Sequence, residues 1–186
     1  MADILRKGVF HSDDSIISKK VEGLYHIIPF TLLRNTNKVN FHTIPKMERI
    51  TGIERVVHDE GALSPGTVGD TKKPWYMHAS QEDNLITLHG TRLVELYHPE
   101  FDEISVFEIS ANSIKLNGEL VLDGPGILGW PTGVFHRNSS PYVGGSSSLN
   151  LGVQYPEFDL NSEFNIYDID MKTGEYKIIR EGFLDQ

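Results

Sequence analysis

The stretch YMHASQEDNLITLHG, Tyr76 to Gly90, decides how the rest of the chain is read. In an extended segment side chains alternate between faces, so Tyr76, His78, Ser80, Glu82 and Asn84 share one side and Met77, Ala79 and Gln81 take the other. Along the first side the pattern continues into Ile86 and Leu88, both apolar. An apolar interior with a histidine and a carboxylate at its near end must provide partners for both, because an unpaired buried carboxylate is costly.

Outward from this stretch, from about Val39, short segments rich in Val, Ile, Tyr, Phe and Thr are separated by Gly, Pro, Asn and Asp. KVNFHTI, IERVVH, DNLITLHG, RLVELYH, EISVFEI, ILGWP and SSLNLGVQY are examples. SIKLNGELVL predicts a hairpin turning at Asn117-Gly118, and NIYDIDMKTGEYKIIRE predicts another about Lys172-Thr173-Gly174. The rhythm is all-β and fits a sandwich, a jelly roll or a barrel. Residues 1–38 are irregular: SDDSIISKKVEGL is either a short helix capped by Ser12 or Asp13, or an extended arm.

Some fifty residues beyond the first stretch lies GPGILGWPTGVFHRN. Pro131-Thr132-Gly133 reads as a turn, with Gly133 where a Cβ is unwelcome, and His136 begins the following strand. The pair YMHASQEDNLITLHG and GWPTGVFHRN resembles the two motifs of the cupin superfamily (RmlC-like jelly rolls), H-x-H-x3-E-x6-G followed by P-x-G-x2-H-x-x-x-N. His78 matches the second histidine, Glu82 the glutamate, and Gly90 the glycine one residue late. Pro131, Gly133 and His136 match the second motif, Tyr76 stands where the first histidine would be, and the trailing asparagine is displaced to Asn138.

The resemblance implies an all-β fold, a single-domain double-stranded β-helix over 39–160, with 1–38 as an N-terminal arm and 161–186 as a C-terminal hairpin packed on the barrel. It also implies one divalent metal ion. With Tyr76 in place of a histidine, the implied ligands reduce to His78, Glu82 and His136, a 2-His-1-carboxylate triad with open positions. Fe(II) is the first expectation, with Mn, Ni or Zn as alternatives. Tyr76 is then a weak fourth ligand, a proton donor or a substrate-orienting hydroxyl. The plainer alternatives are a buried His–Glu pair without metal and a core tyrosine with a satisfied hydroxyl.

Composition narrows the partners. The 186 residues carry a formal charge of -9, no cysteine, 23% charged and 39% hydrophobic residues. A chain of this length suits one domain. Without cysteine, disulfides, thiolate ligands and thiol nucleophiles are excluded. The net negative charge and the absence of a basic stripe argue against nucleic acid. No run approaches the ~18 apolar residues of a membrane helix, and no export signal is evident in MADILRKGVFHSDD, so a cytoplasmic location is expected.

His11, His26, His42, His58, His89 and His98 have no partner at ligand spacing. His58 is the outside candidate, because in cupins the strand before the first motif lines the barrel. His89 has the opposite parity to His78 and faces away. Arg92 and Glu95 differ in parity, so at most one points inward, and an inward arginine would suggest an anionic substrate. Trp75 and Trp130, each beside a motif, either wall a pocket or pack the core.

Three functions follow from the resemblance. The first is a dioxygenase-type metal enzyme acting on a small molecule. The second is a metal-assisted isomerase, epimerase or lyase on a small sugar or carboxylate, and the third is a non-catalytic ligand-binding cupin. Fold alone does not choose among them. Pairing into a homodimer, through a sheet face or exchanged N-terminal strands, is also implied.

Overall fold

A computed structural model describes residues 16–45, 47, 49–101 and 103–185. Among these the chain is nearly all strand. In order these are β1 (Lys19–Val21), β2 (Tyr25–Pro29), β3 (Thr31–Thr36), β4 (Val39–Thr43), β5 (Gly52–His58), β6 (Ala62–Ser64), β7 (Trp75–Met77) and β8 (Gln81–Tyr97). There follow β9 (Ser105–Ser110), β10 (Ser113–Leu116), β11 (Glu119–Asp123), β12 (Gly126–Trp130), β13 (Phe135–Ser140) and β14 (Ser146–Gln154). A short helix α1 (Leu160–Glu163), then β15 (Ile166–Ile169), β16 (Tyr176–Arg180) and a 3₁₀ turn at Gly182–Asp185 complete it.

Two antiparallel layers share the long strand β8. One runs β1-β2-β12-β8-β14-β5, using residues 81–90 of β8. The other runs β11-β10-β9-β8-β13, using residues 91–97, and β13 also pairs with β6 and β7, with β15 and β16 beyond β7. DNLITLHG and RLVELYH, expected as separate strands, are therefore one strand turning a corner at Gly90. There φ is +70°, and a Cβ would lie 2.1 Å from the Gly145 carbonyl oxygen, so a side chain is excluded on both counts.

Alternation along the strands sorts the apolar residues. Ile27, Leu85, Val94, Leu96, Phe107, Ile109 and Leu128 fill the interior, each contributing ~1.5–3 kcal/mol by leaving water. Their neighbours Ile28, Ile86 and Ile127 join Leu151 in a cluster on the outer side of the first layer, beneath Ile16, Ile17, Phe30 and Met47. A third cluster of Trp75, Met77, Tyr97, Phe135 and Tyr167 seats the C-terminal hairpin.

The predicted turns form where expected, with Asn117 and Gly118 at φ 50° and 85° and Gly174 at 73°. The boundary expected at 38/39 falls instead inside the β3–β4 turn, where Lys38 takes φ 65°. The N-terminal segment is not a separate arm throughout, because β2 pairs with β12 and buries Tyr25, Ile27 and Ile28. Ser12 and Asp13, the expected caps, lie outside the described residues, and Lys19–Val21 of that stretch is strand. No helix among the described residues is long and apolar enough to cross a membrane.

Candidate active site

The two motif segments meet in the barrel. Gly133 takes φ 81° in the Pro131-Thr132-Gly133 turn, and its N–H donates to the His78 carbonyl at 2.8 Å, tying one motif to the other. β13 then carries His136 alongside β7, where His136 pairs with Tyr76. The rings of His78 and His136 lie 4.8 Å apart.

The carboxylate that joins them is Asp83, not Glu82. Asp83 Oδ2 lies 3.4 Å from His78 Nε2 and 3.9 Å from His136 Nε2. Strict alternation would put residues 78 and 83 on opposite faces. β7, however, ends at Met77 and β8 begins at Gln81, and the bend between them resets the parity. The bend is held from far along the chain, because the Ser80 N–H donates to Glu163 Oε2 at 3.0 Å. Asp83 consequently shares the interior face with Leu85, while Glu82, Asn84 and Ile86 turn to the outer face. There Asn84 Nδ2 donates to Glu82 Oε1 at 3.3 Å, and the Asn84 side-chain oxygen bonds His26 Nε2 at 3.0 Å. Burial, reinforced by the charge of Asp83 and opposed by the Asn84 bond, pushes the Glu82 carboxyl up to about 7.

Both histidines have a fixed tautomer. A carbonyl oxygen can only accept, so His78 Nδ1, 2.6 Å from the Glu163 carbonyl, and His136 Nδ1, 3.2 Å from the Val134 carbonyl, must each carry a proton. In the neutral rings the Nε2 lone pairs then face Asp83 Oδ2. Asp83 Oδ1 is occupied, accepting from Gln81 Nε2 and Asn150 Nδ2 at 2.8 Å each. Burial first, and the neighbouring His78, push His136 down to about 4. With both rings neutral, three acceptor atoms converge with no donor between them, a set that suits a cation.

These residues line a pocket of about 160 Å³ together with Glu54, His58, Tyr76, Arg92, Trp130 and Phe164. Tyr76 is half-buried on its wall, its ring 6.0 Å from that of His136. Trp130 packs at a tilt 5.2 Å from His136, whereas Trp75 belongs to the core, beneath the Arg137 guanidinium. Arg92 is the inward member of its pair, and Glu95 turns away to bond Arg137. His58 reaches the pocket as expected for that strand, while His89 is exposed. A broader hollow of about 260 Å³ beside Asp168, Asp170 and Glu175 gathers no histidine.

The sequence reading missed Asp83, Asn150, Glu163 and Phe164. Asp83 had a signal, being the carboxylate next to the one chosen; the others are brought in only by the fold.

No family model matches the chain, and no curated protein is similar to it in sequence. Solved structures are similar in fold. ChmJ, a 3'-monoepimerase from Streptomyces bikiniensis in complex with dTDP-quinovose, superposes with a TM-score of 0.53 at 11% identity, covering 74% of this chain and 67% of that one. A double mutant of the 3,4-ketoisomerase QdtA from Thermoanaerobacterium thermosaccharolyticum gives 0.50 at 18% identity over 73% and 82%. A dTDP sugar isomerase from Desulfovibrio desulfuricans gives 0.50 at 10% over 70% and 76%. At such identities the likeness concerns architecture, and on that ground the chain is a jelly roll of the cupin type.

Proposed function

We propose that this protein is an enzyme, an isomerase, epimerase or lyase that moves a proton beside a carbonyl group of a small sugar or carboxylate with the help of one divalent metal ion. The observation that carries this is the convergence of His78 Nε2, His136 Nε2 and Asp83 Oδ2, all within 4.8 Å of one another, inside a small pocket. Ligand atoms on one tetrahedral ion would lie about 3.4 Å apart for bonds near 2.1 Å, against 3.4 and 3.9 Å from Asp83 to the two histidines. Each histidine also donates its other N–H to a backbone carbonyl, the usual arrangement behind a metal ligand. The N₂O donor set accepts Fe(II), Mn, Ni or Zn.

A bound ion would supply Lewis acidity toward a carbonyl oxygen. Gln81 and Asn150 hold Asp83 in place, and the carbonyls of Glu163 and Val134 prevent the two rings from turning. Tyr76 offers a phenolic O–H on the pocket wall as the acid or base exchanging the substrate proton. Trp130 and Phe164 keep bulk water from the His136 and His78 rings they pack against.

The first expectation, dioxygenase chemistry, receives no support from the fold neighbours, which are an epimerase and isomerases. Incubation of candidate substrates in D₂O without O₂ tests the choice: deuterium should enter the carbon beside the carbonyl. Turnover that requires O₂ would overturn it. Purified protein should hold near one equivalent of metal and lose it on Asp83→Ala; content far below one, unchanged by that substitution, would remove the metal. The expected homodimer is proposed on the outer face of the first layer, where Ile53 and Val57, 67% and 52% exposed, extend the Leu151 cluster across the β5–β14 pairing. A monomer in sedimentation at micromolar concentration would refute it.

A further inference from the structure

We infer that the pocket recognises a small carboxylate, anchored by Arg92, so that the substrate of the proton transfer proposed above, on which this inference rests, is a short carboxylic acid. Arg92 is 1% exposed, and among the described residues it makes no ion pair. Its Nε donates to Ser146 Oγ at 2.7 Å, while Nη2 is buried with no partner. Burial pulls its guanidinium only down to about 10, so it is a cation at neutral pH. A buried charge normally has a counter-charge. The pocket's own carboxylates are committed elsewhere: Asp83 faces the two histidines, and Glu54 accepts from Asn150 at 3.4 Å. The missing partner of Arg92 is therefore an anion that enters from outside.

A second donor stands beside it. Ser146 and Ser140 share a 2.6 Å hydrogen bond, and Ser140 Oγ lies 3.3 Å from His58 Nδ1. The polarity that gives each hydroxyl hydrogen an acceptor in this chain runs Arg92 to Ser146 to Ser140 to His58. His58 then accepts at Nδ1 and carries its proton on Nε2, as a donor on the same pocket. Gly90 and Gly145 fix this corner, since a Cβ on Gly145 would lie 2.1 Å from the His58 carbonyl oxygen.

Size and wall select the anion. About 160 Å³ equals the volume of roughly five waters, below the ~300 Å³ at which pockets for larger ligands begin. Many phosphate sites add the N–H groups of helix N-termini or nests to their cationic side chains. Here the lining residues of β5, β8, β13 and β14 have their backbones paired in ladders.

Calorimetric titration of the full chain at fixed ionic strength, with pyruvate, lactate, the two matching amides, inorganic phosphate and thymidine diphosphate, tests this. At least one acid should bind saturably and tenfold or more tighter than its amide, and Arg92→Gln should weaken it about thirtyfold or more. No saturable binding of either acid, equal binding of acid and amide, or tighter binding of phosphate or the nucleotide would each overturn the inference. So would an acid preference that survives Arg92→Gln. If that variant does not fold, the acid-to-amide ratio of the native chain decides. Deuterium exchange is read separately: an acid that binds without exchange removes the isomerase reading alone, and exchange on a neutral ketose with no acid bound removes this inference alone.

Discussion

The two ends of the barrel interior are built on the same strands yet differ in kind, and the change occurs within two residues. On β8, Asp83 lines the pocket, Leu85 joins the pocket floor to the dry cluster, and Arg92 and Val94 divide between pocket and cluster. On β12, Leu128 packs in the core while Trp130 also reaches the pocket and buries an unpartnered Nε1. The dry end gains free energy from every residue it encloses. The polar end leaves Arg92 Nη2, Trp130 Nε1 and Asn138 Oδ1 without partners, each costing about 1–3 kcal/mol. If the polar end serves the recognition proposed above, substitutions at the two ends should separate stability from activity.

The largest effect should come from Asp83→Ala. We expect turnover to fall about 10⁴-fold, or about 5 kcal/mol. Glu82→Gln, one residue away but on the outer face, should change turnover less than about threefold; the reverse ranking in steady-state kinetics would interchange the two faces. Next, Phe107→Ala at the dry end should lower stability by about 4 kcal/mol in urea denaturation and leave the kcat of the folded protein unchanged. A loss of kcat would mean that the ends are not independent.

Acid should then act through the outer face. Burial holds His26 down to about 4 against an ordinary 6.5, so between these values the unfolded chain binds the extra proton and stability is lost as pH falls. His26 should contribute about 3 kcal/mol of that loss, beside His58 and His136, which burial also holds down to about 4, and His26→Gln should reduce the loss by about that amount; an unchanged slope would refute the assignment. The smallest effect expected is that of Tyr76→Phe, about 10²-fold in kcat with little change in KM. Full activity would reduce Tyr76 to packing.

Much of this could be read from the chain because it depends on local chemistry. Asn117-Gly118 and Lys172-Thr173-Gly174 turn where they were expected to, and Pro131-Thr132-Gly133 delivers His136 to the interior. Glu82 was misplaced because alternation was carried through residues 78–81 as if the strand were continuous. The bend there is imposed by Glu163, some eighty residues away, and no local pattern announces it. Arg92 and His58 could be singled out by parity and position, but their shared hydrogen-bond chain through Ser140 and Ser146 needed the fold.

The dependence on Glu163 also bears on how the protein is made. Synthesis begins at the N-terminus, so β7, β8 and β13 exist, and domains can begin to fold, before residues 160–164 have been added. A nascent chain halted at residue 159 would hold His78, Asp83 and His136 but lack the carbonyl that fixes the His78 tautomer and the carboxylate that holds the bend at Ser80. Completion of the site therefore waits for the arrival of α1.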